Sequence, residues 1–157
     1  MIKRIILLIA LATLLPAAAV GADMLDDLEA AFRAHRKGEY DQAIELYTKI
    51  IRNRELKARE RAISYLLRGE AAKDKGDLDG AVKDFDRALR INPNYAQAHY
   101  FRGLALEKKG LLAEAFVEVR NASAIKPDDE AYRKKMTMLE AKITAKGGTI
   151  PPLSGTH

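Results

Sequence analysis

Residues 62–95 read AISYLLRGEAAKDKGDLDGAVKDFDRALRINPNY, and residues 96–129 read AQAHYFRGLALEKKGLLAEAFVEVRNASAIKPDD. Laid over each other with a shift of 34 residues, they match at Arg68 and Arg102, Gly69 and Gly103, Gly76 and Gly110, and Leu78 and Leu112. Ala81 and Ala115, Ala88 and Ala122, and Pro93 and Pro127 continue the series. Identities at one fixed offset, with glycine and proline among them, mark a tandem repeat, and a period of about 20–50 residues belongs to solenoids and arrays. Upstream, a shift of 38 places Gly38, Ala43 and Tyr47 on Gly76, Ala81 and Phe85, so a third copy precedes these two. Four extra residues within 55–61 separate it from the second copy.

Each copy reads as two helices. In the second helix of each, apolar side chains fall on one stripe: Tyr40, Ala43, Ile44, Tyr47, Ile50 and Ile51, then Leu78, Ala81, Val82, Phe85, Ala88 and Leu89, then Leu112, Ala115, Phe116, Val119 and Ala122. Gly38, Gly76 and Gly110 stand between the helices, where a left-handed turn residue is required. Pro93 and Pro127 end the second helices because proline cannot continue the hydrogen-bond ladder. Gly69 and Gly103 lie inside first helices, where glycine costs about 1 kcal/mol against alanine. Close approach of the partner helix offsets that cost, with Ala81 and Ala115 expected opposite and Ala31 as the first-copy equivalent. No segment alternates with period two, so the expected class is all-α.

The period and the pattern Gly69, Ala81, Phe85, Ala88, Pro93, repeated as Gly103, Ala115, Val119, Ala122, Pro127, resemble the tetratricopeptide repeat. The second copy carries an aromatic Tyr65 at its fourth position; the third has His99 there, read as packing, and the first lacks both the leading aromatic and the closing proline. The resemblance covers roughly 24–146, with repeats at about 24–57, 62–95 and 96–129. It implies an α-solenoid of three helix hairpins in a right-handed superhelix, with the first helices lining a concave groove. A stripe of Tyr132, Met136, Leu139 and Ile143 reads as a C-terminal capping helix over 130–146, which a solenoid needs to cover its last apolar face. Residues 147–157, rich in Gly, Pro, Ser and Thr, read as a disordered tail, preferred over the alternative that Ile150-Pro151-Pro152-Leu153 docks in another domain.

The resemblance also implies which side chains face the groove. In the first copy they are Leu25, Leu28, Phe32, His35 and Arg36. The second gives Ile63, Leu66, Glu70, Lys73 and Asp74, and the third Gln97, Tyr100, Leu104, Glu107 and Lys108. Tyr100 and Phe32 are the expected anchors, because aromatic side chains dominate interface energetics. Chaperone-binding members of the family clamp a terminal carboxylate with Lys, Asn and Arg. Here the matching positions hold Leu28, Phe32, Leu67, Gln97 and Phe101, so that clamp is not expected.

The repeats are flanked by an N-terminal address. Lys3-Arg4, an uncharged run from Ile5 to Ala22, and small residues at Val20 and Ala22 read as a secretory signal over 1–22, cleaved so that the domain begins at residue 23. Its retention as an inner-membrane anchor is the alternative. The full chain of 157 residues carries a formal charge of +5; without Lys3 and Arg4 there remain 25 basic against 22 acidic side chains, too small a surplus to suggest nucleic acid. The basic stretch 52–61 reads either as a handle for anionic polymers or, preferably, as a solvated connection with one extra helical turn supported by Glu55 and Arg59.

Nothing in the composition suggests catalysis. Cysteine is absent and there are three histidines, His35, His99 and His157. The carboxylate clusters Asp26-Asp27 and Asp128-Asp129-Glu130 lie at expected helix starts, where negative charge meets the helix dipole. No nucleophile stands in a recognisable triad, and there is no glycine-rich phosphate loop. The expectation is therefore a non-enzymatic adaptor without cofactor or metal. It would sit in the bacterial periplasm and capture a peptide or amphipathic helix of another envelope protein. A tethered scaffold is the alternative, and a small-molecule-binding protein or hydrolase the third class.

Overall fold

The computed structural model describes residues 22–152. The expected signal segment lies outside the described residues except for Ala22, and so do residues 153–157 of the expected tail. Among the described residues there are seven helices and no strand: α1 Ala22–Lys37, α2 Tyr40–Arg52, α3 Ala58–Lys75, α4 Leu78–Ile91, α5 Ala96–Lys108, α6 Leu112–Ile125 and α7 Glu130–Ala145. They pair as hairpins α1–α2, α3–α4 and α5–α6, with α7 packed on α6. The principal contacts join consecutive helices, with α3 also touching α5. The fold is an all-α helical-repeat solenoid in which each unit rests on its neighbours.

The local chemistry accounts for the punctuation. Gly38, Gly76 and Gly110 have φ of +81°, +97° and +81°, and Gly76 is the left-handed residue that ends α3. The Asp77 side chain accepts from the Gly80 amide at 2.9 Å, and Asp129 accepts from the Ala131 amide at 3.0 Å, so both aspartates cap helix starts. The connection at 53–57 departs from the expected extra helical turn. Asn53 Oδ1 accepts from the Glu55 amide at 2.9 Å, Leu56 is buried, and Arg61 Nη2 donates to the Leu56 carbonyl at 3.1 Å. Glu60, not Glu55, supports the start of α3 by accepting from the Lys57 amide at 3.0 Å.

The core is a row of clusters rather than one centre. Ala31, Tyr47, Ile50 and Leu67 form the first, Leu66, Phe85, Leu89 and Ala105 the second, and Phe116, Val119, Leu139 and Ile143 the third. Gly69 and Gly103 let the helices close; the expected Ala115 does face Gly103, but Ala81 is not the group opposite Gly69. A Cβ at Gly69 would stand 2.7 Å from Cε1 of Phe85, which is fully buried; the ring, not Ala81, fills the space. At Gly103 it would stand 2.8 Å from Val119 Cγ2 and 3.1 Å from the Ala115 carbonyl oxygen.

The C-terminal segment also differs from its expectation. Residues 148–152 are held: the Gly148 amide donates to the Ile143 carbonyl at 3.0 Å, and Ile150 packs on the third cluster. The sequence composition suggested disorder, but it did not register a single isoleucine anchoring the segment.

Substituting Gly69→Leu is expected to destabilise the chain by about 1–3 kcal/mol or more through overpacking against Phe85. Phe85→Leu in the same chain should recover part of that loss in urea unfolding followed by circular dichroism. Simple additivity of the two losses would show that the ring is not the obstacle.

Candidate functional site

The first-helix side chains expected in a groove divide into those left accessible and those already engaged. On α1, Leu25 is 38% exposed, and Leu28 and Phe32 are half-buried against the first cluster. Phe32 meets Tyr47 edge-on, with ring centroids 6.1 Å apart, and shares a concavity over α1 with Glu29, Arg33, Arg36 and Lys37. Ile63, Gln97 and Leu104 are half-buried, and Arg36 and Lys108 are exposed. Leu66 is an interior residue of the second cluster and presents no binding surface.

Several of the charged candidates hold one another. His35 Nε2 lies 2.9 Å from Asp74 Oδ2, joining α1 to α3, and Lys73 also pairs with Asp74. Burial pushes the Asp74 carboxyl up, but the hydrogen bonds from Lys73 and His35 outweigh it and leave it below the usual carboxylate range. Glu107 binds Lys135 at 3.0 Å and Lys142 at 2.5 Å, both from α7. Burial raises that carboxyl too, and the two lysines bring it below its ordinary value. Glu70 acts on two phenols: buried Tyr47 and half-buried Tyr95 titrate well above the ordinary tyrosine range, first through burial and then through the Glu70 charge. The Tyr47 hydroxyl is buried without a hydrogen-bond partner.

Tyr100 is not a free anchor. Its ring lies 4.7 Å from that of Tyr132 on α7, which is buried, and 5.7 Å from Phe101. Burial, then the Asp129 charge, raises the Tyr132 hydroxyl to about 12. This stack is the seam between the third hairpin and the cap, and Tyr100 stays half-buried within it. Phe32 remains available.

The polar interior was legible only in part. Asp84 is buried and receives Arg68 in a bidentate pair, Nε and Nη2 each donating at 2.7 Å, with Arg87 Nη1 at 2.6 Å. One repeat later Glu118 is buried and receives Arg102 Nη2 at 2.6 Å and His99 Nδ1 at 2.8 Å. The remaining arms reach the preceding hairpin: Arg68 Nη1 donates to Thr48 Oγ1 at 2.9 Å, and Arg102 Nη1 pairs with Asp86. His99 is therefore a polar link rather than an aromatic-slot filler, its Nε2 lying 3.0 Å from the Pro93 carbonyl oxygen. The signal was present as the Arg68–Arg102 identity. Its acidic partners, Asp84 and Glu118, also lie 34 apart but are different residue types. Among the described residues no three His, Asp or Glu side chains are grouped so as to hold a metal ion.

Comparison with known proteins agrees with this architecture. The sequence model of the TPR repeat matches residues 69–110. Protein unc-45 homolog B of Danio rerio is 32% identical over 111 residues, covering 69% of this chain and 12% of that protein. The tetratricopeptide repeat and J domain-containing co-chaperone DNJ1 of Cryptococcus neoformans var. grubii serotype A is 40% identical over 68 residues, covering 43% of this chain and 13% of that one. The chain thus spans about an eighth of the length of these relatives. Among solved structures, the first TPR of Spaghetti (RPAP3) bound to the HSP90 peptide SRMEEVD superposes with a TM-score of 0.69 at 20% identity, covering 80% of this chain and 98% of that one.

Two outcomes follow from the buried carboxylates. Asp84→Ala leaves half-buried Arg68 without its carboxylate and is expected to destabilise the chain by about 3 kcal/mol in chemical denaturation. Burial raises the Glu118 carboxyl, yet the bonds from His99 and Arg102 hold it below its ordinary 4.5. A carboxyl lower in the folded than in the unfolded chain adds stability above its unfolded value and loses it as pH falls through the folded one. Thermal melts should therefore decline below about pH 4. Glu118→Gln should be less stable at neutral pH and show a shallower acid decline, with Glu107 and Asp74 retaining theirs.

Proposed function

Because this chain belongs to the tetratricopeptide-repeat family, we propose that it is a non-catalytic protein–protein interaction module holding a peptide segment or amphipathic helix of a partner against its first helices. The state of α1 carries this reading. Leu25, Leu28 and Phe32 stay exposed or half-exposed on a helix flanked by Arg33 and Arg36. Such apolar anchors supply affinity, and the adjoining charges supply register and selectivity. The HSP90 peptide seated on the first TPR of Spaghetti supports peptide capture by a helix array of this shape.

The mode of capture differs from carboxylate clamping. Of the five clamp positions, Leu67 is buried and Phe101 stacks on Phe85 with centroids 6.3 Å apart. Leu28 and Phe32 are apolar and Gln97 is neutral, so no fixed cation stands there to balance a terminal carboxylate. The ligand that suits this surface is apolar and needs no free C-terminus. The proposed location is the bacterial cell envelope, with another envelope protein as partner. Lys3-Arg4, the uncharged run to Ala22 and the small residues at 20 and 22 support export and cleavage.

Titrated into the chain, the peptide SRMEEVD is expected to give no saturable heat. A photo-crosslinking residue at Leu25 should capture the partner, and one at exposed Lys83 on α4 should not. Leu28→Ala with Phe32→Ala should weaken the captured partner by at least about 2 kcal/mol while helicity is retained. Unchanged affinity in that variant would remove the first-helix surface as the site. N-terminal sequencing of the exported protein should begin at Asp23; recovery of Met1 in the membrane fraction would replace the periplasmic reading with a tethered one.

A further inference from the structure

Two series of ionic contacts between repeats recur with the repeat and then stop, although Glu107 still pairs with Lys135 and Lys142 of α7. At the hairpin edge Lys75 at the end of α3 binds Asp41 of α2, and Lys109 just beyond α5 binds Asp79 of α4, each at 2.5 Å. The same two positions one repeat later hold Ile143 and Ala113. In the interior, Arg68 reaches Thr48 and Arg102 reaches Asp86. There the next pair is Met136 and Arg120. The receiving position has changed from acceptor to cation, and the donor facing it has become a thioether. A fourth hairpin built on the same plan would bring an arginine against Arg120, a like-charge contact with no acceptor between.

Arg120 instead serves the C-terminal segment. Its Nη1 donates to the Pro151 carbonyl at 3.0 Å and to the Pro152 carbonyl at 3.1 Å, and its guanidinium lies 5.5 Å from the Phe116 ring centroid. The chain reaches that position through Gly147, at φ +71°, and through Gly148, where an added Cβ would meet Ile143 Cγ2 at 3.0 Å. Ile150 then packs on Phe116, Val119, Leu139 and Ile143. The residue types fit the task. Proline offers a carbonyl acceptor without an N–H of its own, so two consecutive prolines take both Nη1 donors and leave no backbone donor unpaired beside them. Proline also favours the extended conformation that a shallow apolar slot accepts at little entropic cost.

We infer that the surface formed by Arg120, Phe116 and the α6–α7 seam is a binding site for an extended Ile-Pro-Pro segment. Its occupant is the chain's own residues 148–152, a strap that closes the solenoid where a further repeat would dock. The site is separate from the α1 surface and does not depend on what the first helices bind.

Five chains test this: the full chain, a chain ending at Gly147, Arg120→Ala, these two changes combined, and Ile150→Asp. Arg120→Ala and the truncation should each lower the melting temperature by a few degrees. The combined chain should melt no lower than the truncated one, because the arginine acts through the strap. Ile150→Asp in the full chain should reproduce the truncation. Hydrogen exchange gives a local readout that does not depend on global stability: the Gly148 amide should be protected in the full chain and exchange freely in Arg120→Ala and Ile150→Asp. Additive losses in the combined chain, or a Gly148 amide whose protection survives both substitutions, would overturn the assignment.

Discussion

A carboxylate at a helix–helix junction with almost no access to water must be met by a fixed donor, and Asp84 and Glu118 impose that requirement in successive repeats. Each is answered by an arginine 16 residues earlier, so each ion pair joins the two helices of one hairpin. The free arm of the same guanidinium then reaches the hairpin before it. One planar group thereby sets the closure within a repeat and the stacking between repeats. A slip of one residue along either helix would leave a buried charge unpaired, a larger penalty than the pair gains when formed. The interaction therefore specifies register more than it adds stability. The glycines at 69 and 103, one residue beyond each arginine, bring the helices close enough for the pairs to form.

The first hairpin and the cap do without this device. Ala30 and Leu46 occupy the arginine and carboxylate positions of the first copy, and both are packed apolar or small groups. At the other end Met136 and Ile143 replace the arginine and the edge lysine, and both join the third cluster. The buried arginine–carboxylate pairs are thus confined to the second and third hairpins, whereas the cap joins through an apolar cluster edged by the pairs of Glu107 with Lys135 and Lys142. This is the pattern expected of a solenoid that must be joined in one order inside and sealed outside.

Use of charge for stacking constrains the binding surface. His35, Lys73 and Asp74 hold α1 to α3, Glu107 holds the cap lysines, and Tyr100 forms the seam with Tyr132. What remains for a partner is concentrated on α1, the helix with a hairpin neighbour but no preceding repeat among the described residues. Its accessible side chains are apolar with charges of both signs, Asp26 and Glu29 beside Arg33 and Arg36, which is consistent with capture of an amphipathic segment.

The 34-residue period, the helix boundaries at Gly38, Gly76 and Gly110, and the apolar stripes are local properties, fixed by backbone freedom and 3.6-residue periodicity, and the amino-acid sequence by itself determines them. The helical class and the hairpin count follow from these. Other features depend on which side chains meet across junctions. No periodicity encodes that Phe85 rather than Ala81 fills the space at Gly69, or that Asp84 and Glu118 are equivalent despite different side chains. The same holds for Tyr100, which serves the cap, and for Ile150, whose contacts anchor a segment with the composition of a tail. Pairing across a junction depends on distance and burial in three dimensions. Only the tertiary structure decided how these residues are shared between holding the solenoid together and meeting a partner.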